Sequence, residues 1–334
     1  MSVSQTAVAG MGATRPGSAR RDLDPAYLGL VRSGELAERA RLADRRLEDC
    51  DLCARYCRVN RKESVRGAVC RTGARAIVSS YGPHHGEEDC LRGWRGSGTI
   101  FFSWCNLRCV YCQNWEVSWK GEGHEVTAEQ LAAMMLRLQE MGCHNVNLVS
   151  PSHVVAQILA AVAIAAARGL RLPLVYNTGG CDSPEALALL DGVIDVYMPD
   201  MKYGESGLAR RYSHIKDYVR HNRAALREMH RQVGDLVLDE DGLARRGLLV
   251  RHLVLPGGIA GSEDVIRFLA EEISPDTYLN LMDQYRPCFK AAEAPEINRP
   301  ITSAEYRDAL QLARRYGLGR LDHRAAVGRL ARWI

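Results

Sequence analysis

Residues 101–115 read FFSWCNLRCVYCQNW and set Cys105, Cys109 and Cys112 in a C-x3-C-x2-C spacing behind a short apolar run. Structural zinc takes four ligands, usually as two close pairs, and catalytic zinc takes three protein ligands plus water. Three thiolates on one short loop instead suit three irons of a cubane [4Fe–4S] cluster. The fourth iron is then open to an exogenous chelator, and one-electron chemistry becomes available there. Upstream, Cys50, Cys53, Cys57 and Cys70 form C-x2-C-x3-C-x12-C in a polar, basic setting. Four thiolates serve zinc or a second iron–sulfur cluster equally, so the spacing leaves that metal open.

These seven are part of eleven cysteines. The N-terminal stretch carries no compact apolar core of the signal-peptide kind, so a cytoplasmic location is expected; thiols stay reduced there, disulfides are not expected, and clustered spacings point to metal or catalysis. Cys90, Cys143, Cys181 and Cys288 are scattered and are expected to be buried as small apolar side chains. The longest apolar run, residues 158–167, is ten residues. Spanning a bilayer takes about 20, so this run predicts a buried helix and no membrane association. The formal net charge of +4 in 334 residues argues neither for nor against a nucleic-acid partner, and none is expected.

The elements that must position the cysteines follow from periodicity. Apolar strand patterns fall at 99–103, 145–149, 174–176, 193–198, 248–255 and 278–282. Helical patterns lie between them at 127–141, 154–167, 183–190, 208–233 and 262–273, with capping boxes at Thr127/Gln130 and Thr302/Glu305. Residues 25–47 predict one or two further helices, and residues 50–90 show little periodicity. Six strands alternating with helices require parallel pairing through right-handed crossovers, an α/β sheet closed or half-closed into a barrel. Reactive groups in such folds gather at the C-terminal strand ends, and the cysteine trio directly follows the first strand.

The wider stretch GSGTIFFSWCNLRCVYCQNWE, with Tyr111 before the third cysteine, resembles the signature of the radical S-adenosylmethionine (SAM) superfamily. Within it, the chain looks like the pyruvate formate-lyase activating enzymes and their uncharacterised relatives over roughly residues 50–288. The resemblance implies an incomplete (β/α)6 TIM-like barrel, a [4Fe–4S] cluster on Cys105, Cys109 and Cys112, and SAM chelating the open iron. Reductive cleavage of SAM would give a 5′-deoxyadenosyl radical that abstracts hydrogen from a protein or peptide, such as a glycine of a partner enzyme. A reduced donor of the flavodoxin or ferredoxin type is implied as well. The implied organisation is a disordered tail over 1–22, a helical and cysteine-rich region over 23–95, the partial barrel over 96–290 and a helical extension over 291–334.

Carry-over of the family's residues is uneven. Where the family has Gly-Gly-Glu-Pro, this chain reads NLVSPSH, which leaves Ser150 and Ser152 to hold the SAM amino group. In YNTGG, Asn177, Thr178 and Gly179 match a turn at the methionyl or ribose end, and Tyr176 replaces an acidic residue that helps bind a cation. Asp200 and Lys202 in VYMPDMK match an Asp-x-Lys strand end, the lysine facing the cofactor carboxylate; a surface ion pair is the rival reading, because residues two apart on a strand share a face. His252 would reach the ribose or adenine, against a core histidine with one hydrogen bond. The segment GPHHGEEDC, with His84, His85, Glu87 and Glu88, is expected to be a solvated loop, and Trp104 and Trp115 to shield the cluster or simply pack. Other readings are a peptide- or small-molecule-modifying radical enzyme, and a non-catalytic iron–sulfur or zinc protein that binds a partner.

Overall fold

The six apolar strand patterns do pair in parallel. The computed structural model describes residues 24–322; the expected tail over 1–22 and the chain's last twelve residues, including His323, lie outside the described part. The parallel strands β2 (Ser97–Phe102), β4 (Val146–Val149), β5 (Leu174–Thr178), β6 (Val196–Pro199), β8 (Ala244–Leu253) and β9 (Tyr278–Met282) follow one another in sequence order across the sheet. They form the α/β, incomplete (β/α)6 architecture expected from the pattern. A short β7 (Val237–Leu238) pairs antiparallel with β8.

Two strands were not legible in the sequence. β1 (Ala76–His84) pairs antiparallel with β2, and β3 (His124–Val126) pairs antiparallel with β1. The segment after Cys70 therefore joins the main sheet instead of staying in a separate unit. Its alternation is masked by Gly82, Pro83 and an irregular register between Val78 and Ser80.

The helices cover the outer face. α4 (Ala128–Glu140) and α10 (Ser303–Arg315) start at the two expected capping boxes, each with both reciprocal hydrogen bonds. α5 (Val155–Ala167) lacks a polar face because it lies between α4 and α2 (Glu35–Arg45), which α1 (Tyr27–Ser33) precedes. The N-terminal helices thus complete the barrel's core. Among the described residues no helix is long and apolar enough to cross a membrane.

The helix expected over 208–233 is two, α7 (Ser206–Ser213) and α8 (Tyr218–Val233). His214 and Asp217 take left-handed φ values of 51° at the break, a conformation that Asn, Asp and His tolerate better than most residues. No Gly or Pro marks the place. Helices α6 (Pro184–Leu190) and α9 (Ser262–Phe268) agree with expectation, α9 continuing through one wider turn to Ile273.

Candidate functional site

Strand β2 delivers the cysteine loop to the C-terminal end of the barrel. There the loop docks on the end of α7: Arg108 N–H donates to the Ser213 carbonyl (3.1 Å) and Val110 N–H to the Tyr212 carbonyl (2.8 Å). Each sulfur has a hydrogen-bonding neighbour. Leu107 N–H donates to Cys105 Sγ (3.4 Å), Ser213 Oγ to Cys109 Sγ (3.0 Å), and Ser118 Oγ lies 3.1 Å from Cys112 Sγ. Burial raises the Cys105 thiol above its ordinary range and pushes Cys109 up to about 12. As bare thiols they would stay neutral, whereas donors aimed at sulfur favour the thiolates that iron–sulfur ligation needs. Among the described residues no three His, Cys, Asp or Glu side chains already stand in a ligating arrangement. Donor type, number and hydrogen bonding fit a cluster.

Tyr111 is buried, its hydroxyl 2.7 Å from that of Tyr203, which in turn lies 2.7 Å from Ser213 Oγ. A tyrosine chain thus ends on the serine that supports Cys109. Trp104 lies beneath the guanidinium groups of Arg71 (5.0 Å) and Arg108 (5.4 Å), and Trp115 stacks on Phe289 at 5.1 Å. Trp119, which sequence reasoning passed over, donates from Nε1 to the Cys109 carbonyl at 3.1 Å. Aromatic cover around the loop is therefore wider than the two flanking tryptophans.

Asp200 and Lys202 are not a surface pair. Their side chains are each 21% exposed, with Nζ 2.6 Å from Oδ2. The lysine's charge reaches Cys105 and Cys109 and lowers the pKa of both. Burial, the largest single influence, works against the charge, but Asp200 and the other groups around it together hold the ammonium well above its usual range. Tyr218, on the first turn of α8, fixes this strand end: its hydroxyl accepts from Lys202 N–H (3.0 Å) and stands 3.1 Å from the carbonyls of Gly179 and Asp200. The unforeseen break before α8 is what puts Tyr218 and Ser213 on the site.

The other candidates divide by strand face. Asn177 points into the barrel, where its Oδ1 lies 3.5 Å from Arg251 Nη1. Thr178 and Ser152 point the other way, 2.8 Å apart, and Thr178 donates to Asp182 (2.7 Å), which also accepts from Tyr176 (2.9 Å). Asp182, fully buried, was missed by sequence reading; burial raises its carboxyl above the ordinary range. Ser152 and Thr178 are thus engaged in a closed network behind the strand. Ser150 sits at the strand end in left-handed backbone (φ 60°), its N–H donating to the Asn177 carbonyl. Gly179 packs beside Leu107 and Lys202.

His252 is a core histidine in this structure. It is 0% exposed, with Nδ1 2.6 Å from the Met201 carbonyl and Nε2 2.9 Å from Ser262 Oγ. Both nitrogens are engaged, and desolvation lowers its pKa to about 4. Its neighbour Arg251 takes the inner face instead, as strand alternation requires.

The expected solvated loop is corrected as well. His84 and His85 are exposed, but Glu87 and Glu88 turn inward and are buried. Glu88 accepts from Arg251 Nε (2.7 Å) and Nη2 (2.6 Å) and from Asn280 (2.6 Å), and Glu87 pairs with the same guanidinium. Burial, the largest single influence, works against the charge, but Arg251 and Asn280 together hold the Glu88 carboxyl down at about 2. Beyond them, on the short helix α3 (Asp89–Arg92), Cys90 and Leu91 pack with Val175, Val196, Met198 and Leu249. The segment after β1 therefore bridges to the last two barrel strands. Cys143 and Cys181 are buried as expected with Cys90, while Cys288 is half-buried.

The family model described as the radical SAM superfamily matches residues 99–239. An uncharacterized protein of Methanocaldococcus jannaschii, MJ0674, is 30% identical over 298 residues, covering 86% of this chain and 81% of its own. Among solved structures, a radical SAM methyltransferase from Sphaerobacter thermophilus aligns at a TM-score of 0.43 and 16% identity, covering 66% of this chain and 64% of that one. Methylornithine synthase (PylB) aligns at 0.43 and 16%, covering 64% and 61%. The chain thus spans less than two thirds of these solved proteins. The matched segment runs through the cysteine loop and the strand ends around Asp200 and Lys202, and the chain belongs to the radical SAM superfamily.

Proposed function

We propose that this protein is a radical SAM enzyme of the activating-enzyme type, which uses a reduced donor of the flavodoxin or ferredoxin class to abstract hydrogen from a protein or peptide. The observation that carries the reading is the convergence of Cys105, Cys109, Cys112 and Lys202 at one barrel mouth. When bound, the [4Fe–4S] cluster and SAM supply, for each electron accepted, methionine and a 5′-deoxyadenosyl radical that takes a hydrogen atom from the substrate.

The chain's own part is to hold and orient. Cys105, Cys109 and Cys112 take three irons and leave one open, with Leu107 N–H, Ser213 and Ser118 supporting the sulfurs. Lys202, charged and fixed by Asp200 and Tyr218, offers a cation to the SAM carboxylate. Ser150 and Asn177 present polar groups at the adjoining strand ends, and Tyr111 stays with the tyrosine chain behind Cys109. Ser152, Thr178 and His252 support the strand ends through Asp182, Met201 and Ser262. Below the mouth, the Arg251 network forms a polar wall for the substrate.

Anaerobic reconstitution, followed by dithionite and SAM, is expected to yield 5′-deoxyadenosine, and Cys109→Ala to abolish it. No 5′-deoxyadenosine from a fully loaded cluster would overturn the reading.

A further inference from the structure

The upstream cysteines lie in residues 49–75, a stretch with neither helix nor strand. Cys50, Cys53 and Cys70 are buried and Cys57 half-buried. Three residues beside them, Tyr56, Arg58 and Arg71, hold left-handed φ values of 45°, 54° and 49°. Each such residue costs about 1 kcal/mol or more and persists only where the surroundings over-determine it. Few large apolar side chains are present in this stretch to do so, and a metal crosslink is the usual remedy.

A second observation concerns charge. Arg61 is 2% exposed, and its guanidinium donates to the carbonyls of Thr72 (2.7 Å) and Gly73 (3.3 Å) and to Cys50 Sγ (3.5 Å). Among the described residues no carboxylate is hydrogen-bonded or ion-paired to it. A buried guanidinium needs a compensating anion, and four thiolates around a divalent metal or a [4Fe–4S]2+ core carry a net charge of about −2. Neutral thiols would leave Arg61 uncompensated.

Placement separates the two metals. Arg55, two residues after Cys53, donates from Nε to the carbonyl of Asn106 (2.6 Å), next to Cys105. Arg108, next to Cys109, donates to the carbonyl of Val69 (2.8 Å), next to Cys70. Ala54 N–H and Asn106 Nδ2 share the Cys181 carbonyl. The two cysteine groups are thus joined on either side by direct contacts. On the outer side a surface cleft lined by Ala54, Arg55, Val69, Arg210 and Lys216 is mainly basic, Asp217 being its one carboxylate.

We propose that Cys50, Cys53, Cys57 and Cys70 bind a second [4Fe–4S] cluster that takes one electron from an external protein reductant and passes it to the cluster at Cys105, Cys109 and Cys112. Each transfer oxidises the reductant by one electron and delivers that electron to SAM cleavage. The relay rests on the proposed function for its acceptor; the metal site does not.

Two measurements test it. The variant with Cys105, Cys109 and Cys112 all changed to alanine, reconstituted anaerobically, is expected to keep about four irons per chain and an iron–sulfur electron paramagnetic resonance signal after reduction. Zinc there, or a metal-free chain with native circular dichroism, overturns the proposal. Should that variant not fold, the wild type decides: about eight irons per chain support the second cluster, and about four overturn it. In Cys53→Ser/Cys70→Ser, 5′-deoxyadenosine formation driven by reduced flavodoxin, divided by that driven by dithionite, is expected to fall at least tenfold. An unchanged ratio overturns the relay. Wild type with about eight irons and no 5′-deoxyadenosine under either reductant would instead refute the enzyme reading and leave the metal site standing.

Discussion

Glu88→Gln removes one charge from the network that ties the segment after β1 to β8 and β9. Glu88 is 0% exposed and accepts three hydrogen bonds, two from Arg251 and one from Asn280. Breaking one side of a buried ion pair costs about 3–5 kcal/mol. Glu87 stays paired with Arg251, so the low end, about 3 kcal/mol, is expected. The acidity of the group leads to the same figure: a carboxyl held at about 2 against the ordinary 4.5 corresponds to about 3 kcal/mol at neutral pH. For a chain of this size that is a loss of about 4 °C in melting temperature.

The pH dependence follows from the sign. A depressed carboxyl contributes fully above its unfolded value and loses its contribution as pH falls from about 4.5 toward 2. The gap between wild type and variant should therefore stay level between about pH 6 and pH 8. Thermal circular dichroism of anaerobically reconstituted protein measures it, with Asp89→Asn, at an exposed neighbouring position, expected to shift by no more than about 1 °C. A gap below about 2 °C, or one that narrows from pH 8 to pH 6, would refute the reasoning.

Two further outcomes are expected. Lys202→Ala should weaken SAM binding by about tenfold or more, the worth of a charge-assisted hydrogen bond, while the cluster's visible spectrum is unchanged; equal affinity by equilibrium dialysis would remove Lys202 from the SAM site. Gly180→Ala should lower stability by about 2 kcal/mol or more in urea unfolding, because φ is +71° and a Cβ would stand 2.3 Å from the Asp200 carbonyl oxygen. Gly179→Ala, whose Cβ meets the movable end of Leu107 at 2.7 Å, should cost clearly less, and equal costs would contradict this account of the turn.

Local signals settled much of the architecture in advance. The C-x3-C-x2-C spacing, the six apolar strands and the capping boxes at Thr127 and Thr302 depend on neighbouring residues alone, and all are legible in the chain. Strand alternation even set the faces of Asn177 and Thr178, though it did not say which face held the site.

The rest depended on residues far apart in sequence. Glu88 looked solvated until Arg251, 163 positions away, supplied its counter-charge. His252 looked available until Met201 and Ser262 occupied both its nitrogens. The α7–α8 break carries no Gly or Pro, yet it delivers Ser213 to Cys109 and Tyr218 to Lys202. Spacing alone could show that three cysteines form one cluster-binding loop. Only packing of the chain on itself could bring Cys53 and Cys70 beside that loop, because the contacts that join them are backbone carbonyls, and these have no signature in sequence.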